Sequence, residues 1–444
     1  MTYRAELELA KLRAAAPFSP TEVAELRQDF SAFAADRAIY LDTAATAQRP
    51  ETVINAENKF LRESNAAVHR GTSAVVGAAT LAFEGARDKV HKFVGAPSDA
   101  TVVWSSNATD ALNTLAGGFS EASLAVTSPA LAVPGSDRFA LDSDAEIVVT
   151  AAEHHANLIP WQRLAQRTGA KLVVVPVTPD GIWELDEFVA RLNNRTRIVA
   201  FTHISNVTGW IAPVHELVAA TRKHANERAV IVLDACQSAP HIPINFTDLG
   251  VDFMVFSGHK LFAPYGIGAL VGKTELLNAL PPIRVGGSAI TKVSLEHAEF
   301  LPAPHRFEPG TQPVSQAVGL GAAIDYLDSV NAGRAAATEH QLVTQLVEGI
   351  AGLNGVRLLG PSNPEQRVAL AAVDVSGIHA HDIGQVLDTL GVMVRVGHHC
   401  AQPLHRELGI TASVRASVHF TNTDTEVEQF IAGLKEAQRY FGGV

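Results

Sequence analysis

Between Ala145 and Val271 the chain repeats one pattern: a short, nearly unbroken apolar run, then a stretch with helical spacing. The runs Ile147–Val149, Leu172–Val177, Ile198–Phe201, Val230–Leu233, Phe253–Phe256 and Gly268–Val271 are rich in β-formers. Between them, Leu158–Gln166, Leu185–Leu192 and Pro213–Lys223 space their apolar residues as helices do. A strand that is apolar on both faces must be covered on both faces. The alternation therefore predicts an α/β fold built on a mostly parallel sheet between layers of helices. In such a sheet the reactive groups gather beyond the carboxyl ends of the strands. Asp234 ends one run and Lys260 follows another.

Past Thr311 the texture changes. Helical spacing over 315–330 and 338–353 leads to a strand at 369–375, a helix at 381–390, strands at 392–396 and 413–420, and a last helix over 425–440. This reads as a separate, smaller α+β domain. At the other end Ser19-Pro20-Thr21-Glu22 combines a capping serine, a first-turn proline and a glutamate three residues on. That is a helix start. Val23, Leu26, Phe30 and Phe33 give the helix an apolar face to lay on the small domain. The division is then 1–38 as an N-terminal helical segment, 39–313 as the large domain and 314–444 as the small C-terminal domain. Leu41–Ala45 reads as a short strand and turn, and Ser73–Gly95 as a helix. Ser120–Asp144 is rich in Ala, Ser and Pro without a period. It is expected to be a surface excursion dispensable for folding.

Composition narrows the function classes. The chain has 444 residues, 47% hydrophobic and 18% charged, with a net charge of −11 and no long basic run. Nucleic acid and anionic membrane are poor partners for it. The first residues are charged throughout, unlike a secretory leader. No apolar run approaches the ~18 residues of a membrane helix. The expectation is a soluble, cytoplasmic protein. Two cysteines, Cys236 and Cys400, make neither a disulfide framework nor a CxxC metal pair.

Several residues carry chemistry by type and place. Lys260, in Ser257-Gly258-His259-Lys260, is set like an amine for Schiff-base chemistry, although a lone lysine in a loop is often only a surface residue. Asp234 at a strand end, three residues before Gln237, is placed to keep a pyridine nitrogen protonated; a helix cap or structural ion pair is its alternative. Thr109, at the start of a helical pattern, suits a phosphate or a plain N-cap. Glu153-His154-His155-Ala156-Asn157 sets histidines beyond a strand. Adjacent side chains of an extended chain point apart, which disfavours a shared metal and favours one ring stacking on a flat cofactor. Cys400, in the loop Arg395–Pro403, is an exposed nucleophile or an incidental thiol. Cys236, at a buried strand end, reads as packing. Arg415 on a strand is either a carboxylate clamp or a structural ion pair.

Taken together and in order, EHHAN, HISNVTG, Asp-x-x-Gln, SGHK, RVGHHCAQP and VRAS resemble the cysteine desulfurases. These are pyridoxal-phosphate enzymes of the class V aminotransferase superfamily with the type I fold. The RxGHHCAQP loop is similar to their second group, which includes the sulfur-mobilisation desulfurases and the selenocysteine lyases. The resemblance runs from about residue 40 to the C-terminus.

It implies Lys260 as the Schiff-base lysine, Asp234 at the pyridine nitrogen, Gln237 at the ring phenolate and His154 stacked on the ring. Thr109, Ser257 and His259 would hold the phosphate, with Ala108 contributing backbone only. Thr311 would reach the phosphate of the other subunit, and His69-Arg70-Gly71 would line that subunit's site. Asn206, Arg395 and Arg415 would contact the substrate, and Cys400 would accept its sulfur. The implied protein is a homodimer with shared active sites that acts on L-cysteine and passes sulfur to an acceptor protein. A selenocysteine lyase or another class V reaction is the alternative; a non-catalytic scaffold fits poorly with intact Lys260, Asp234, Cys400 and Arg415. Two motifs depart from the family. Asn107-Ala108-Thr109 replaces the usual Gly-Thr-Thr, which removes one hydroxyl from the phosphate cup, and Thr421-Asn422-Thr423 replaces Tyr-Asn-Thr.

Overall fold

Seven strands form the main sheet, in the order Ala100–Ser105, Gly268–Lys273, Phe253–Ser257, Val230–Asp234, Thr196–Thr202, Glu146–Thr150, Lys171–Val175. The structure is a computed structural model that describes residues 4–33 and 39–442. Only Gly268–Lys273 runs against the rest, pairing antiparallel with both of its neighbours. The alternation along each strand explains the sandwich. Val148, Val199, Phe201, Ile231, Leu233 and Met254 enter one apolar cluster, with Phe83 and Leu320 from covering helices. Ile147, Val149, Ile198, Ala200, Val232 and Val255 enter the other, under Leu112 and Trp161. Both faces of the inner strands are covered, as an unbroken apolar run requires, while the edge strand Lys171–Val175 leaves Val174 exposed.

A second sheet of four antiparallel strands has the order Val356–Leu359, Leu370–Val375, Ser413–Ser417, Arg395–Gly397. Its own core gathers Leu342 and Leu346, Ile383 and Leu387, and Val427, Phe430 and Leu434 from three helices. The chain enters beside this sheet. Ile39–Tyr40 pairs in parallel with Val392–Met393, and Asp42 bridges to Ser417.

The N-terminal helix is shorter than its apolar spacing predicts. It spans Pro20–Arg27 with a complete capping box at Ser19 and Glu22, and ends at Gln28. Phe30, fully buried, reaches the core from the turn that follows. An earlier helix, Arg4–Arg13, packs on Ala332–Ala351, and Glu22 pairs with Arg334 of that helix. The helix Glu51–Glu63, which the sequence reading did not single out, buries Val53 and Phe60, two turns apart on one face.

Ser120–Asp144 is not the dispensable excursion expected. The helix Ala108–Ala125 runs into it, and beyond the helix end Phe139 is fully buried against Phe119, ring centroids 4.9 Å apart. The backbone N–H of Leu141 donates to Ser123 Oγ at 2.9 Å, and Arg197 donates to the Ala140 carbonyl. One aromatic anchor leaves no period to detect, yet it fixes the segment. Truncating a buried Phe in a packed core costs about 3–5 kcal/mol. Phe139→Ala is expected to lose stability of that order in urea unfolding; a loss within experimental error would show that the segment is indeed dispensable.

Candidate functional site

Because the strands run parallel, the residues that follow them converge on one edge of the main sheet. Asp234, Ser257 through Lys260, Thr202 with Asn206, His154, and Asn107 through Thr109 all line one cavity of about 540 Å³. From the second sheet come Arg395, His399, Cys400 and Arg415, and from the segment after Ile39 come Ala44 and Ala45. Of the residues singled out above for catalysis, cofactor or substrate, all but Thr311 face this cavity. Thr311 is exposed elsewhere on the chain.

At one end of the cavity the 18-residue helix Ala108–Ala125 begins. Its cap is Asn107, whose side chain accepts the Asp110 N–H at 2.9 Å, so Thr109 lies inside the first turn rather than at the cap. Ala108 donates its N–H to Ser257 Oγ at 2.9 Å, tying the helix start to the end of strand Phe253–Ser257. The approach is close: a Cβ on Gly268 would lie 2.8 Å from Asn107 Cα, so only glycine fits between strand and turn. The dipole at such a helix start favours an anion. His259 stands beside it with Nδ1 buried and unpartnered, its pKa pushed down to about 4 by burial and by Lys260.

Along the cavity floor, Asp234 is 4% exposed and its Oδ1 accepts the Cys236 N–H at 2.9 Å. Gln237 donates to the Ala44 carbonyl at 2.9 Å, while its Oε1 is buried without a partner. The motif Glu153–Asn157 divides its work by side chain. Glu153 is fully buried, accepting from Thr150, Asn157 and the Thr202 N–H; burial raises its carboxyl to about 8. His154 lines the cavity, and its Nδ1 accepts the Ala156 N–H at 3.0 Å. Burial, reinforced by Lys260, lowers its pKa to about 4, so the ring is a neutral imidazole at neutral pH. His155 turns to the cysteine loop instead: its N–H donates to the Cys400 carbonyl at 2.7 Å, and its Nε2 accepts the Gln402 N–H.

The opposite wall is built around Asp42, which no sequence pattern marked. Arg415, 3% exposed, donates to the Asn206 carbonyl at 2.9 Å and reaches Asp42 Oδ1 at 3.3 Å. Arg395 sits directly across the sheet from Arg415 and pairs with Asp42 Oδ2 at 2.7 Å. Asn206 donates its amide to the His399 carbonyl at 2.6 Å rather than pointing its donor into open cavity. Its turn is held from behind by Arg367, fully buried, which donates to the carbonyls of Thr208, Pro361, Leu359 and Leu370. No local pattern marks Arg367 either.

The loop carrying Cys400 is fixed. His399 and Cys400 both have left-handed backbone, φ 49° and 56°. His399 Nε2 lies 2.9 Å from Ser413 Oγ, which His405 also contacts. Cys400 is exposed at the cavity. Cys236 packs against the apolar cluster on one face of the main sheet, as expected, and also borders the cavity, with Sγ 3.8 Å from Ser257 Oγ. Burial and Asp234 push its thiol up to about 12, which leaves it protonated and inert.

Comparison with known proteins agrees with this geometry. The family model for class-V aminotransferases matches residues 39–430. The chain is 45% identical to a probable cysteine desulfurase 2 of Mycobacterium leprae over 429 residues, covering 96% of this chain and 98% of that one. Among solved structures it is similar to the cysteine desulfurase CsdA of Escherichia coli in its S-sulfonic acid form, with TM-score 0.82 and 34% identity, covering 94% and 98% of the two chains. It is also similar to the apo cysteine desulfurase of Thermococcus onnurineus, with TM-score 0.85 and 34% identity, covering 97% and 100%.

The buried histidines set a pH dependence. Burial, as the main cause, lowers His154, His259 and His419 to about 4, His203 to about 3 and His399 to about 2. Between about pH 6.5 and 4 the unfolded chain takes up protons at these positions that the folded chain refuses. Stability therefore falls on acidification through that window, by up to about 1.4 kcal/mol per pH unit for each histidine. The urea midpoint of the cofactor-free protein is expected to drop clearly from pH 6.5 to pH 5, above the usual carboxylate range. A flat midpoint over that interval would contradict the burial of these rings.

Proposed function

The chain belongs to the class-V aminotransferase family, among its cysteine desulfurases, and from that membership we propose that it removes sulfur from L-cysteine, giving L-alanine and a persulfide on Cys400. The observation that carries the proposal is the meeting, at one cavity, of a lysine amine, a buried carboxylate, a buried guanidinium and an exposed thiol: Lys260, Asp234, Arg415 and Cys400.

The side chains fit pyridoxal 5′-phosphate. Gln237 Oε1 and His259 Nδ1 are buried polar atoms without partners, and the start of helix Ala108–Ala125 is suited to a phosphate. In this reading Lys260 Nζ carries the cofactor and Asp234 takes the pyridine nitrogen. Gln237 takes the phenolate and His154 the ring face. Thr109, Ser257, His259 and the helix start at Ala108 would hold the phosphate, joined by Thr311 of a second copy of the chain; the Ala108 N–H would reach it only by leaving Ser257 Oγ. Once bound, the cofactor supplies an electron sink for charge that develops at the substrate Cα.

The chain's own groups do the rest. Arg415 binds the substrate carboxylate, supported by Arg395 and by Asn206. Its guanidinium is already fixed by Asp42 and the Asn206 carbonyl, so little ordering is left for substrate binding. The Lys260 amine takes the Cα proton. The Cys400 thiolate attacks the substrate sulfur: an S–S bond forms, the S–Cβ bond breaks, and its electron pair stays with Cβ, which is protonated as alanine leaves. The persulfide then passes to a sulfur-acceptor protein.

Two experiments test this. Cys400→Ala is expected to keep a visible band that borohydride fixes onto Lys260, while alanine release from cysteine falls about 100-fold or more and the added 32 Da on the enzyme disappears. Turnover of cysteine at the wild-type rate would sink the assignment of the loop; release from selenocysteine alone would make the protein a lyase. Shared sites are tested by mixed dimers of Lys260→Ala with Thr311→Ala, where one intact site per dimer is expected to restore part of the activity. No recovery in verified heterodimers would mean that each chain builds its own site.

A further inference from the structure

Away from the active-site cavity, three ligand-type side chains from three segments meet where the two sheets join. His241 follows strand Val230–Asp234, Glu339 lies in helix Ala332–Ala351, and His419 follows strand Ser413–Ser417. Their ligand atoms all lie within 4.8 Å of one another. Glu339 Oε2 is 2.9 Å from His241 Nδ1, and Oε1 is 3.1 Å from His419 Nδ1, with side chains only 8%, 3% and 2% exposed for Glu339, His241 and His419.

Hydrogen bonding alone serves this cluster poorly. The Phe420 N–H points at His419 Nδ1 from 3.0 Å and at Glu339 Oε1 from 3.3 Å. An Nδ1 that accepts this N–H turns a lone pair towards a carboxylate oxygen, which is repulsive unless a proton or cation lies between them. The rest of the His419 ring is buried, with the Pro240 carbonyl as its backbone neighbour. No lysine or arginine hydrogen-bonds Glu339 among the described residues; the nearby Arg13 is spent on Glu365 and the Arg367 carbonyl. A buried carboxylate between imidazoles, short of positive charge, has the donor set of a transition-metal site.

We propose that His241, Glu339 and His419 bind a divalent transition-metal ion, zinc being the best match to two imidazoles and one carboxylate. The fourth position opens on a separate cavity of about 230 Å³ that His241 and Glu339 border, which supplies a water ligand and a way in. The ion would join a loop of the main sheet to a helix and a strand end of the second sheet. The role is structural, remote from the reacting atoms.

The test uses cofactor-loaded protein in a Cys400→Ala background, so that the exposed thiol takes no zinc. The protein is stripped with chelator, titrated with zinc, gel-filtered and assayed for metal per chain and for melting temperature. One zinc per chain is expected, with a rise of several degrees in melting temperature. Glu339→Gln and His419→Phe are expected to weaken binding at least tenfold and to abolish the rise. His419→Phe keeps an aromatic ring against Phe262 and Phe420, so folding is preserved if Glu339→Gln disturbs it. Absence of stoichiometric zinc at micromolar concentration, or equal binding in the variants, overturns the proposal. Neither readout is enzymatic, so failure here leaves the desulfurase reading standing.

Discussion

The guanidinium of Arg415 is 3% exposed, and Asp42 supplies a counter-charge for it and for Arg395 together. The two arginines stand opposite each other on neighbouring strands, a like-charge pair that is unfavourable alone. With the carboxylate of Asp42 between them, the repulsion becomes a three-member network. Removing one partner from such a network leaves an uncompensated buried charge, which costs far more than the network contributes. The geometry beyond it depends on this arrangement. Asp42 comes from the segment that enters beside the second sheet, and Arg415 in turn fixes the carbonyl of Asn206, on the main sheet's edge. The wall facing the cavity is thus assembled from three distant parts of the sequence.

Arg367 extends the same wall without any carboxylate. Its four carbonyl acceptors disperse the charge, and burial lowers its pKa to about 9. The Asn206–Gly209 turn is consequently gripped on both sides, by Arg415 at Asn206 and by Arg367 at Thr208. Rigidity at the turn carries over to the Cys400 loop through the bond from the Asn206 amide to the His399 carbonyl. Left-handed backbone at two consecutive non-glycine residues is costly, and it persists where the surroundings over-determine it. Here His155, Asn206 and Ser413 do so.

The main sheet was legible because its signal is local. Apolar runs bounded by helical spacing needed no knowledge of partners, and the convergence of Asp234, Lys260, His154 and Thr109 follows from parallel strands alone. Phe139 was not legible, since a single buried residue makes no period. Asp42 and Arg367 were invisible for another reason. Their importance lies in what they touch across 373 and 159 positions of chain, and no window of sequence holds both ends. Cys236 was legible as a packing residue because it follows directly on a fully apolar strand, and its edge on the cavity leaves that role unchanged.

The fixed loop has a consequence for sulfur traffic. A thiol on a mobile arm can ferry its cargo outward to a waiting protein. Cys400, clasped by His155 and Asn206 at the rim of a walled cavity, is a stationary berth instead. If Cys400 holds the persulfide as proposed, delivery becomes a matter of reach, and a receiving protein would have to extend a projection to the cavity mouth.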